Sequence, residues 1–162
     1  MKRTRLLLYM GALSAGLIFS GGTQAEDWKL VGQMGWFGVG KAYEMEKGHF
    51  YWVGEFSGTF LSDKGETGLL DHTGMKCPAW YEFDLTNKKA KAGGFCTFAD
   101  PNGDQAYLAW QQAGTPGRGS GNFEWTGGTG KYKDIKGSGT VSGVTTVSWP
   151  DGTSSGYAIF NR

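Results

Sequence analysis

Histidine and cysteine are scarce in this chain of 162 residues: His49 and His72 are its two histidines, Cys77 and Cys96 its two cysteines. The histidines fall in separate hairpin or loop contexts, with no CxxC pair and no acid–cysteine cluster beside them. That excludes the common metal-centre patterns, and neither a metal nor another cofactor is expected. Serine hydrolysis is equally poorly supplied, because no GxSxG elbow occurs and nothing assembles a Ser-His-Asp set. An excess of one charge is missing too: 16 Lys and Arg stand against 15 Asp and Glu. Without a clustered basic face, nucleic acid is not an expected partner. After Ala25 no segment carries the 3.6-residue apolar period of an amphipathic helix. The one long apolar run, Leu6 to Phe19, falls short of the about 20 residues that a membrane-crossing helix needs.

That run is flanked as a signal peptide is. MKRTR supplies a positive n-region, Leu6 to Phe19 the apolar h-region, and Gly21-Gly22-Thr23-Gln24-Ala25 a small-residue exit. Residues 1–25 are therefore expected to be a cleavable signal peptide and residues 26–162 one exported domain, periplasmic or secreted, free of the membrane after cleavage. Cleavage removes Lys2, Arg3 and Arg5 and no acid, taking the formal charge from +1 to −2. Outside the cytosol Cys77 and Cys96 read as a structural disulfide closing a loop of about 20 residues.

What the chain has in quantity is aromatic side chain, 15% of residues, and glycine, 29 residues. Alternation of period two dominates after Ala25, punctuated by turn residues. Residues 36–46 and 49–62 flank Lys47-Gly48. Residues 79–86 and 90–99 flank Asn87-Lys88, and 105–110 follows DPNGD (100–104). Segments 122–126, 139–149 and 153–160 complete about eight strands joined by short connections, with no crossover helices. The fold class is all-β, and the pattern predicts a single antiparallel eight-stranded β-barrel, which removes exposed edges. A two-sheet β-sandwich is the alternative.

The stretch GGTGKYKDIKGSGTV (127–141) tests this reading, because a glycine-rich loop before a lysine can cradle phosphate. A Walker loop needs GxxxxGK[ST] between strand and helix. Here Gly130-Lys131 is followed by Tyr132, and no helical pattern follows. The stretch reads instead as a bend: Gly127, Gly128 and Gly130 permit a tight turn. Tyr132 and Ile135, spaced like one short helical or 3₁₀ turn, plug one end of the barrel. Lys131, Lys133 and Lys136 read as a solvated face.

GGTGKYKDIKGSGT also resembles the GGTG(K/R)(Y/F)xx(I/A)xG(S/A)G segment of the allene oxide cyclase-like and dirigent-like barrel superfamily. GFCTFADPNGDQAYLAW (94–110) is similar to the cysteine-bearing strand and D-x-(D/N)-G-D turn that precede that segment in the small secreted bacterial members. The resemblance spans roughly residues 77 to 160. It implies a calycin-like barrel of eight strands, often trimeric, whose lumen binds a hydrophobic ligand. Plant members cyclise an epoxide or steer radical coupling. The resemblance lies in scaffold segments and carries no catalytic residue over.

Candidate sites follow from the strands. Trp36, Trp52, Phe56, Trp110 and Trp125 fall on or beside them and either fill the barrel or line a cavity for an apolar or aromatic molecule. Aromatics on both strand faces also leave room for a homo-oligomer, trimer or dimer. Strand acids Glu44, Glu55, Glu82 and Glu124 would gain a raised pKa if they pointed inward. Glu55 and Glu82 lie opposite the aromatic face and are expected outside. Asp100, Asn102 and Asp104 have calcium-like spacing, but Gly103 is fourth and Gln111 twelfth where an EF-hand needs Gly at six and Glu at twelve. A β-turn is expected there, with a weak surface calcium site as the alternative. The leading expectation is an exported barrel binding a small hydrophobic or aromatic molecule in its lumen. An isomerase, cyclase or lyase using Glu44, Tyr43 or Tyr107 is the second. A structural module with a filled barrel is the third.

Overall fold

The computed structural model describes residues 28–161. The expected signal peptide lies outside the described residues, among which no helix is long and apolar enough to cross a membrane. The strands are β1 (Gly32–Glu46), β2 (His49–Ser62), β3 (Gly74–Asp84), β4 (Lys89–Ala99), β5 (Gln105–Thr115), β6 (Arg118–Gly128), β7 (Ser138–Ser148) and β8 (Thr153–Asn161). Each pairs antiparallel with the next, and β8 returns to β1, from Gly32 opposite Phe160 to Val39 opposite Thr153. The eight strands form one closed barrel, and the sandwich alternative falls.

Period two sets the inward face on each strand. On β2, Trp52 and Phe60 are buried while Val53 and Thr59 are exposed, the division the alternation predicts. Strand ends were harder to place. The alternation stops at Trp110 and resumes at Asn122, yet β5 and β6 run on to Thr115 and Arg118. Glycines in this stretch keep their ladder partners, Gly114 opposite Gly119 and Gln112 opposite Gly121. Pairing therefore continues where side chains give no pattern. The two strands turn over Pro116-Gly117, where Gly117 adopts φ 83°.

One end of the barrel is packed solid. Phe60 meets Phe98 and Phe160 edge-on with ring centroids 6.0 and 5.8 Å apart, and Phe123 lies 5.5 Å from Phe160. Such ring pairs add about 0.5–1.5 kcal/mol each beyond area burial. Trp125, Leu108 and Leu30 complete the layer, all buried. The GGTGK bend seals it from below: Gly130–Tyr132 forms a 3₁₀ turn that buries Tyr132, and Ile135 is buried beside it. This is the plug the spacing predicts.

Lys131 is exposed, as expected, and is also tied to the DPNGD turn. Its Nζ lies 2.6 Å from the buried Asp100 Oδ2. Asp100 Oδ1 accepts the Asn102 and Asp104 N–H groups, and Asp104 Oδ2 accepts the Lys131 N–H. An ammonium and backbone donors thus occupy both Asp100 oxygens and one Asp104 oxygen, and the segment forms a turn. Lys131 and these donors hold the Asp100 carboxyl below its ordinary 3.8. A lowered folded value contributes stability that is present above that pH and lost as pH falls through the folded value.

Cys77 and Cys96 form a disulfide between β3 and β4 just above the aromatic layer, with Cα atoms 4.1 Å apart. Replacing both by alanine is expected to lower the unfolding free energy by about 3 kcal/mol, measured by urea denaturation. Unchanged stability would show that the strand ladder alone fixes this seam. Asp100→Asn is expected to lower the melting temperature at pH 7 and to flatten the acid limb of a stability–pH profile. An acid limb identical to that of the parent would remove the Asp100–Lys131 pair from the account.

Candidate lumen site

Above the packed layer the lumen opens into a cavity of about 360 Å³ that reaches the hairpin-turn end. Its volume falls within the range of small-molecule sites. β4 makes the space, because its inward residues here are Ala90 and Ala92, and Ala92 stands between the larger Tyr81 of β3 and Gln112 of β5. Trp52 stands opposite on β2 and lies flat over Gly40 and Gly54, where a Cβ on either glycine would run into its ring.

Four of the five aromatics singled out in the sequence come together in the wall. Trp36 and Phe56 have centroids 4.8 Å apart, Trp52 and Phe56 5.0 Å, and Phe56 and Trp110 6.5 Å. Trp125 does not join them; it packs into the layer beneath, its ring 6.1 Å from Phe98. Its height along β6 makes that difference, because the lumen is already filled at that level.

The catalytic candidates lie elsewhere. Tyr43 points outward and is 49% exposed. Glu44 sits at the rim, where its Oε1 accepts the Gly48 N–H. Tyr107 occupies the outward register of β5 and donates its hydroxyl to Gln105 Oε1 at 2.8 Å. None of the three lines the cavity. A one-residue change of register separates Tyr107 from the inward Ala106 and Leu108, and the sequence alone does not fix that choice. Glu55 and Glu82 lie outside as expected, facing Lys76 and His49 respectively.

The polar side chains lining the lumen include Tyr81, Gln112 and Ser154 on the walls, with Thr145, Ser148 and Thr153 of β7 and β8, and Lys91 and Arg118 at the mouth. Tyr81 shares its face with Phe83, a placement already legible from its position opposite Glu82. Gln112 extends the inward series Leu108, Trp110 beyond the point where alternation fades. The Tyr81 hydroxyl accepts the Gly117 N–H at 2.8 Å, and Gly117 O accepts the Thr145 N–H at 2.9 Å. Bonds from β3 and β7 therefore hold the β5–β6 turn inward across the mouth. Trp110 buries an indole N–H without a hydrogen-bond partner, a group that normally finds one. Among the described residues no group of three or more His, Cys, Asp or Glu could hold a metal ion.

Burial pushes the Tyr81 phenol above its ordinary 10.0, and burial does the same to Tyr132 in the plug. A raised folded value stabilises the fold below pH 10 and is lost as pH rises through it. Spectrophotometric titration at alkaline pH is therefore expected to show two tyrosines ionising after the rest, and Tyr81→Phe to remove one of them. Ionisation of all tyrosines in a single step would contradict this placement. No protein-family model matches the chain, nor does any curated protein, and the site rests on its own geometry.

Proposed function

We propose that this protein is an exported barrel that binds a small hydrophobic or aromatic molecule in its lumen. The cavity carries this reading: its floor is closed by packed aromatics, Trp36, Trp52, Phe56 and Trp110 wall it, and its far end is open. A solid-packed structural module would fill this space, and the chain fills only the half below it. The disulfide supports export, because such bonds persist in oxidising compartments. The closed barrel with an apolar lumen also supports kinship with the allene oxide cyclase-like and dirigent-like superfamily.

Binding without turnover is favoured because neither a carboxylate nor a histidine lines the cavity. Tyr81 is the residue on which an isomerase, cyclase or lyase would rest. Its raised phenol keeps it neutral, a donor of hydrogen bonds and a poor base.

Native mass spectrometry of protein purified from its own compartment, before and after denaturation, tests the reading. The expected result is a non-covalent mass lost on denaturation, together with quenching of tryptophan fluorescence by 2-ethylnaphthalene. Trp52→Leu should weaken that probe about tenfold, by removing a stacking face. A bare protein that no apolar probe quenches would overturn lumen binding.

A further inference from the structure

Gln112 is the residue in the lumen whose chemistry packing does not explain. Its side chain leaves β5 and lies across β6 and β7, on a bed without side chains. A Cβ at Gly119 would stand 3.3 Å from its Cδ, and one at Gly143 2.9 Å from Oε1 and 3.0 Å from Nε2. Two glycines thus keep room for this one amide. On its other flank the ladder partner is Ala92, a buried small residue, and beyond Ala92 at the same level stands Tyr81. Ser120 and Ser142 bond to each other, whereas the Gln112 amide forms no hydrogen bond to the protein among the described residues.

An amide so placed offers a carbonyl acceptor and two N–H donors side by side. Tyr81 adds a hydroxyl whose oxygen already accepts from Gly117, leaving its proton to donate. Toward the floor every neighbour is apolar, among them Phe56, Trp36 and the disulfide. The charged residues Lys91 and Arg118 are exposed at the rim, where water screens them. A carboxylate drawn down to the level of Gln112 would lose its water without gaining a counter-ion, which is costly.

Resting on the lumen-binding reading, we infer that Gln112 is its specificity residue, and that the ligand is a flat, neutral aromatic carrying an amide or lactam-type group. The ring system stacks among Trp36, Trp52 and Phe56. Its polar group pairs with the Gln112 amide, donor to acceptor and acceptor to donor, with Tyr81 donating from the side.

Three naphthalene probes of similar size separate the contributions: 2-naphthamide, 2-naphthoate and 2-ethylnaphthalene, each titrated by tryptophan fluorescence. Gln112→Leu, close in volume, is expected to weaken 2-naphthamide about tenfold and to leave 2-ethylnaphthalene unchanged, as loss of a net hydrogen-bond pair requires. Gly143→Ala, which crowds the amide without deleting it, should weaken 2-naphthamide in the same direction, and a melting curve checks that each variant is folded. In the parent protein 2-naphthoate is expected to bind more weakly than 2-naphthamide. Unchanged 2-naphthamide affinity in folded Gln112→Leu, or tighter binding of 2-naphthoate in the parent, overturns the role of Gln112 while 2-ethylnaphthalene binding keeps the lumen reading intact. Failure of all three probes to bind overturns both.

Discussion

Eight antiparallel strands closed on themselves enclose a fixed cross-section, and each inward position must either fill its share of it or leave it empty. The inward residues of β4 shrink along the barrel axis, and the site opens beside that strand. On β4 the series from the sealed end upward is Phe98, Cys96, Gly94, Ala92, Ala90. Phe60, Trp125 and Phe160 meet Phe98 at the sealed end, whereas Tyr81 and Gln112 flank Ala92 above. The aromatic layer fills the lumen below, whereas the alanines of β4 leave space above among the larger side chains of the other strands. The aromatic layer is thus both core and floor. Its ring contacts hold the strands at their spacing, so the upper half need not carry the barrel's stability and can stay open.

The seal of that layer depends on two turns distant in sequence. DPNGD and GGTGK each read as an independent bend, since each has the glycine and side-chain acceptors that turns require. In the fold they form one unit: Asp100 accepts from its own turn and pairs with Lys131, while Asp104 caps the Lys131 N–H. Gly130 adopts φ 50°, and a Cβ there would run into the Asp104 carboxylate. The glycine before the lysine is therefore fixed by a neighbour from the other turn as well as by its own backbone. Phosphate chemistry would have asked the same residues to face outward. Here the lysine faces a protein carboxylate, and the tyrosine beside it is driven into the barrel.

Much of this was legible in the sequence. Alternation on β2, short hairpin connections and the absence of helical periodicity are enough for an antiparallel barrel, because each reflects a local preference that the closed sheet obeys. The disulfide and the Tyr132–Ile135 plug are likewise local readings. What escaped was long-range. Lys131 is solvated as read, but its pairing with Asp100 has no local signal because the partner lies on another turn. Trp125 reads as a pocket residue because alternation gives its face and not its height along the axis. Tyr107 and Tyr81 differ only in register, and the bulge between Tyr107 and Leu108 falls where that register is decided. Gln112 sits in a glycine-rich stretch that has no alternation to read, although its ladder partners continue unbroken.

Local consistency between sequence and fold gives way at a few positions: buried indole N–H groups lack a partner at Trp110 in the cavity wall and at Trp125 in the layer beneath it. Trp110 places an indole N–H in a wall where phenylalanine would leave nothing unpaired. Gln112 places a half-buried amide where leucine would fill the same volume. Gly119 and Gly143 give up side-chain packing beside it, and interior glycine weakens a strand. Each choice lowers stability on its own. Chosen together on neighbouring strands, they leave a polar spot of defined geometry within an apolar wall, and such departures from the stable choice are expected at functional sites. Apolar depth sets how much surface a ligand can bury, while the amide sets which way round it must lie.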